Sequence, residues 1–109
     1  MENLKKAILS FRDERDWGKF HNAKDLAISL NLEAGELLEN SQWKSSEEAT
    51  EAKYQEIKEE IADVMLYLLL LCDRLDIDIE DAVYSKLKMN AKKYPVDKSF
   101  GRKTKYNKL

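Results

Sequence analysis

The sequence predicts an all-α protein: a four-helix bundle with an extended C-terminal tail. Apolar residues recur at helical spacing in four segments, the period-2 alternation of strands is absent, and one stretch of about 30 residues runs without glycine or proline. The 109 residues suffice for one domain with one core, spanning 1–109, with the tail at about 96–109.

The first helix is predicted over roughly Asn3–Arg15, where Leu4, Ala7, Ile8 and Phe11 share a face. Asp16-Trp17-Gly18-Lys19-Phe20-His21 interrupts it; Gly18 is the stop, and the two aromatic residues point to a packed loop. Asn22 is suited to cap a second helix that reaches about Glu39. Ser45-Ser46-Glu47-Glu48 reads as a capping box opening a third helix, expected to run unbroken to about Leu75. Asp78 caps the fourth, which ends before Pro95. Residues 96–109 contain Gly101 and little apolar periodicity, so an extended conformation is expected there.

Several broad classes are disfavoured. The longest apolar run, Val64 to Cys72, lies between Asp63 and Asp73 and is too short to span a bilayer. It is apolar all round, which suits the inside of a bundle or a subunit interface. Residues 1–15 are charged throughout and carry no secretory signal, and the single Cys72 cannot close an intrachain disulfide. Both observations favour the cytoplasm, and no membrane partner is expected. Residues 86–109 hold nine Lys/Arg against one Asp, whereas residues 1–85 hold ten Lys/Arg against 20 Asp/Glu. The acidic body would repel a nucleic-acid backbone, so no nucleic-acid partner is expected. The basic tail is either a solvated face or a device for holding phosphate.

The chemistry is concentrated in two acid pairs, Glu33-Ala-Gly-Glu36 and Glu60-Ile-Ala-Asp63. Within each pair the spacing of three makes both carboxylates lean the same way from one helix. Each pair also intrudes on an apolar stripe: Leu26, Leu30, Glu33 and Leu37 on one helix, Ile57, Glu60, Val64 and Tyr67 on the other. Acids on a core-facing stripe need compensating charge, and four carboxylates facing each other form an oxygen-only site suited to Mg²⁺ or Mn²⁺. Such a site, with open positions for phosphate oxygens and water, points to hydrolysis of a phosphate ester or phosphoanhydride. Acid pairs of this spacing also occur on solvated helix faces, Glu56 and Glu59 being one here. On that reading the chain is a noncatalytic helical interaction module. The lone His21 does not follow a Glu by three residues, which argues against a di-iron bundle.

The motif Glu33-x-x-Glu36, 23 intervening residues, then Glu60-x-x-Asp63 resembles the MazG-like, all-α nucleoside triphosphate pyrophosphohydrolases. More of the chain resembles the dCTP pyrophosphatase branch: Glu14-Arg15-Asp16-Trp17 with Phe20-His21, Glu33 to Trp43-Lys44, Glu59 to Val64 with Tyr67, and Asn90 through Lys93-Tyr94-Pro95-Val96 to Lys105-Tyr106. The resemblance covers about residues 11–109. It implies a MazG-like bundle, assembled as a homodimer or homotetramer. It also implies hydrolysis between the α and β phosphates of dCTP or a modified dCTP, a house-cleaning role in the nucleotide pool. Glu33, Glu36, Glu60 and Asp63 would be the metal-binding and catalytic residues. Trp17, His21, Trp43 and Tyr67 would surround the base, and Asn90, Lys93 and Lys105 would meet phosphate or sugar. Taken singly, each of these is open to a structural reading as core tryptophan, capping histidine or solvated lysine. The chain departs from the branch at Ile8, where a polar residue can enter the pocket, and in its short linker after Trp43. Both departures leave the base open, so dUTP or another triphosphate remains an alternative substrate.

Overall fold

Asn22, Ser45 and Asp78 each end an extended stretch and begin a helix in the way their side chains dictate. Asn22 Oδ1 accepts from the Asp25 amide at 2.8 Å, and Asp78 Oδ1 accepts from the Asp81 amide at 3.1 Å. Ser45 Oγ accepts from the Glu48 amide while the Glu48 carboxylate accepts from the Ser45 amide, a reciprocal capping box. These caps set the helix starts in a computed structural model that describes residues 1–109. The helices are α1 (Glu2–Glu14), α2 (Ala23–Glu39), α3 (Ser46–Ala52), α4 (Tyr54–Arg74), α5 (Ile79–Lys93) and the short α6 (Val96–Ser99). Single 3₁₀ turns cover Trp17–Phe20 and Tyr106–Lys108, and no strand is present. The all-α expectation holds.

The chain divides into two compact units, Met1–Ile77 and Asp78–Leu109. In the first, α2 and α4 form the main packed pair, and α1 and α3 lie against α4. Its core is small: Ile8, Leu26, Ala49, Leu69 and Cys72 are buried, with Leu26 and Leu69 only 2% exposed. Ala49 on α3 is as deeply buried, but the two largest fully buried side chains come from α2 and α4, so the α2–α4 seam is the centre of the unit. Much apolar surface stays outside it, including Ile28, Leu32 and Leu38 on α2 and Ile61 on α4.

Two expectations need correction. The single long helix from Ser45 is broken at Lys53, whose backbone (φ −122°, ψ 24°) leaves the helical region. Lys53 closes one helix and opens the next: its amide donates to Ala49 O at the end of α3, and its carbonyl accepts from Ile57 N at the start of α4, both 2.9 Å. The break is therefore a one-residue kink without glycine or proline. The tail is not simply extended either. Pro95, with its fixed φ of −62°, precedes the four-residue α6, and Gly101 adopts φ +71°, a conformation costly for other residues. Tyr106 then stacks edge-on against Tyr94 at 5.9 Å, and Lys93 Nζ sits 4.8 Å above the Tyr106 ring. Within the second unit the tail is thus held at the C-terminal end of α5.

Because Leu69 fills the centre of the seam, Leu69→Ala is expected to destabilise the first unit by about 2–5 kcal/mol. Urea unfolding followed by circular dichroism measures this, and a loss well under 1 kcal/mol would contradict the assignment of the core.

Candidate active site

The stripes that carry the acids are the ones that α2 and α4 turn towards each other. Leu26 is buried and Leu30, Glu33 and Leu37 are half-buried, as are Ile57, Glu60, Val64 and Tyr67 on α4. Packing α2 on α4 therefore brings Glu33 to Glu60. Oxygen atoms of Glu33, Glu36 and Glu60 all lie within 4.8 Å of one another, with Glu36 at the exposed edge. The Oε2 atoms of Glu33 and Glu60 are buried and meet no hydrogen-bond donor.

Such an arrangement is electrostatically unfavourable on its own. The Glu33 carboxyl is pushed up from 4.5 to about 7, first by burial and then by proton sharing with Glu60 and Glu36, with repulsion from Glu36 and Asp63 adding to it. Sharing requires a proton, so in the ionised set the two buried oxygens have no partner. Oxygen-only donors, orphaned buried carboxylate atoms and accumulated negative charge all fit a hard divalent cation. Asp63 stands slightly apart. It is not within the three-oxygen cluster, although it lies close enough to raise the proton affinity of Glu33. Its side chain is one methylene shorter than that of glutamate.

Asp63 instead lines an adjoining cavity of about 220 Å³. Trp17, His21 and Tyr67 also line it, with Ile8, Phe11, Leu66 and Leu70 as apolar wall and Arg12 as a charged one. The sequence pattern therefore finds Trp17, His21 and Tyr67 in one place, beside an acid of the second pair. Trp17 is held edge-on to Phe11 at 5.8 Å, and the Arg15 guanidinium stacks 3.7 Å from the Phe11 ring centre. Asp16, in the left-handed region at φ 53°, turns the chain from α1 into the 3₁₀ turn that presents Trp17. His21 closes that turn, and its Nδ1 is buried without a hydrogen-bond partner.

The remaining candidates lie elsewhere. Trp43 does not join the cavity: it is 92% exposed, in the loop between α2 and α3, with φ at 64°. Asn90, Lys93 and Lys105 belong to the second unit, Asn90 half-buried near the end of α5 and both lysines exposed. Arg12 is not among the sequence candidates, and Phe11 figures there only on the apolar face of the first helix. A signal for Arg12 exists, because it follows buried Ile8 by one helical turn, just as Asp73 follows buried Leu69. Opposite charges at equivalent places on two apolar stripes mark a pair that can meet across a helix contact.

The chain matches the model of the MazG-like family over residues 28–109, and it belongs to that family. Among individual proteins, it is 38% identical to rat dCTP pyrophosphatase 1 and 33% identical to the human protein, in each case over all of this chain and 67% of the relative. The crystal structure of a pyrophosphatase from Archaeoglobus fulgidus superposes with a TM-score of 0.82 at 46% identity, covering 87% of this chain and 92% of that one.

The raised Glu33 sets a pH dependence. Its carboxyl binds a proton more tightly folded, at about 7, than at its ordinary 4.5. Its contribution to stability is therefore present below the lower value and is lost as pH rises through the higher one. In the presence of a chelator, the melting temperature should fall between about pH 5 and pH 8, and Glu33→Gln should flatten that fall. A wild-type melting temperature that rises across this window, or the same fall in Glu33→Gln, would contradict the buried acid cluster.

Proposed function

We propose that this chain hydrolyses dCTP or a modified dCTP to the monophosphate and pyrophosphate, with Mg²⁺ as the working ion and Mn²⁺ as a substitute. The protein is a nucleoside triphosphate pyrophosphohydrolase. The observation that carries the reading is the pair of orphaned, buried carboxylate oxygens of Glu33 and Glu60, in a three-acid cluster beside an aromatic cavity. The family match and the dCTP pyrophosphatase relatives support the same reading.

Glu33, Glu36 and Glu60, with Asp63 at the cavity wall, would hold the divalent cation. When bound, that ion neutralises charge on the triphosphate and lowers the pKa of water at the reaction centre. One of the four acids orients the attacking water. The water oxygen bonds to the α phosphorus, the bond from that phosphorus to the bridging oxygen breaks, and pyrophosphate leaves with the bond's electron pair. The proton lost by the water passes to solvent through the orienting acid. Trp17 and Tyr67 enclose the base by stacking, and His21 closes the cavity. Trp43 completes the base site in an assembled homodimer or homotetramer, where so exposed a ring would find cover. Asn90, Lys93 and Lys105 meet sugar and phosphate, the lysines offsetting triphosphate charge.

The exposed apolar residues of α2 and α4 support assembly, and no helix is long and apolar enough to cross a membrane. House-cleaning of the nucleotide pool, in the cytoplasm, is the cellular role that goes with the proposed hydrolysis.

Glu60→Gln removes the charge of one cluster member and keeps its shape. It should reduce pyrophosphate release by at least about 100-fold while the helical spectrum is retained. Assay with dCTP, 5-modified dCTP and dUTP, following pyrophosphate and free phosphate separately, tests both the bond cleaved and the base. Unchanged turnover in Glu60→Gln, or release of free phosphate only, would overturn the proposal.

A further inference from the structure

Arg12 is the one Lys or Arg side chain in the wall of the aromatic cavity, and with Asp13, Gly18 and Asp73 it also lines a second, polar cavity of about 270 Å³. Its Nη1 donates to Asp73 Oδ2 on α4 at 2.9 Å, and its Nε donates to the neighbouring Asp13 Oδ1 at 2.8 Å. Its side chain is 20% exposed and that of Asp73 29%. Gly18 lies close beneath it, since a Cβ there would come within 3.4 Å of Nε. The guanidinium plane is thus fixed by a contact between two helices and by a turn that has no side chain at the point of approach.

A guanidinium carries five N–H donors. Two are used here, which leaves three, including both on Nη2, with no acceptor in the protein. Two aspartates already offset the positive charge, so Arg12 is a directional donor more than an attractor of phosphate. The rest of the cavity offers stacking faces, aliphatic wall, His21 and the Asp63 carboxylate, to which Arg12 is not hydrogen-bonded, so a ligand acceptor placed there would meet an unused donor.

We infer that Arg12, clamped by Asp73, is a specificity-determining residue that donates to the acceptor edge of the base. Cytosine presents N3 and O2 as adjacent acceptors, matching a parallel pair of guanidinium N–H groups. Uracil presents N3–H, a donor, at the same place, and the two donors would oppose each other. This selectivity rests on the hydrolase reading above, but it can be measured without turnover.

The test compares the full chain with Arg12→Met and Arg12→Lys in two ways. The first is kcat/KM for dCTP and dUTP; the second is binding of dCMP and dUMP, followed by tryptophan fluorescence. The wild type should prefer the cytosine ligand in both. Both variants should lose that preference by about tenfold or more, mainly through KM for dCTP, because lysine keeps the charge without the fork. Asp73→Asn, which loosens the clamp and leaves Arg12 in place, should lose part of it. Circular dichroism establishes that each variant is folded. An unchanged preference in folded Arg12→Met, or a wild type that does not distinguish dCMP from dUMP, would overturn the inference. A wild type that prefers dCMP yet releases no pyrophosphate would overturn the hydrolase reading and leave this one standing.

Discussion

Like charge held together on the α2–α4 seam is the constraint around which the first unit is built. Two carboxylates about 4 Å apart at an effective dielectric near 20 repel by on the order of 4 kcal/mol. Glu33, Glu36 and Glu60 form such a set, with Asp63 close enough to add to it. A surface cluster would relax by rotating apart or by hydration. Here Glu33 and Glu60 sit on the stripes that pack α2 on α4, so the burial of Leu26 and Leu69 holds the charges in place. The raised proton affinity of Glu33 is the chemical expression of that confinement. The seam thus converts apolar packing energy into a site that favours bound positive charge.

The aromatic cavity depends on a second contact, between α1 and α4. Arg12 and Asp73 join these helices where their apolar stripes end, and the 3₁₀ turn after Asp16 brings Trp17 and His21 to the same wall. Asp63 belongs to both features, as the fourth acid and as a cavity residue. A base seated among Trp17, Tyr67 and Arg12 would therefore have its phosphates close to the acids. The acid cluster and the aromatic cavity meet along one face of α4, where Asp63 and Tyr67 are one turn apart.

What could be read from the sequence was what local chemistry decides. Asn22, Ser45 and Asp78 cap as expected because each bond closes within three residues. The acid pairs were legible because charge on an apolar stripe stands out without knowledge of the partner helix. The kink at Lys53 was not, since neither glycine nor proline marks it. The return of the tail rests on Tyr94 meeting Tyr106, a contact that local periodicity does not encode. The Arg12–Asp73 pair spans 61 residues of sequence, so only the register of two stripes hinted at it. The separation of Asp63 from the other acids is a matter of side-chain length and helix position, which spacing alone does not resolve.

The central claim is that the seam holds acids ready for a divalent cation, and calorimetric titration of Mn²⁺ into the metal-free protein tests it most directly. Near pH 7, in buffers of different ionisation enthalpy, the heats should reveal binding coupled to proton release, because Glu33 is partly protonated before the ion arrives. Glu33→Gln should bind more weakly and release fewer protons. Binding without proton release, or none in the wild type, would contradict the account.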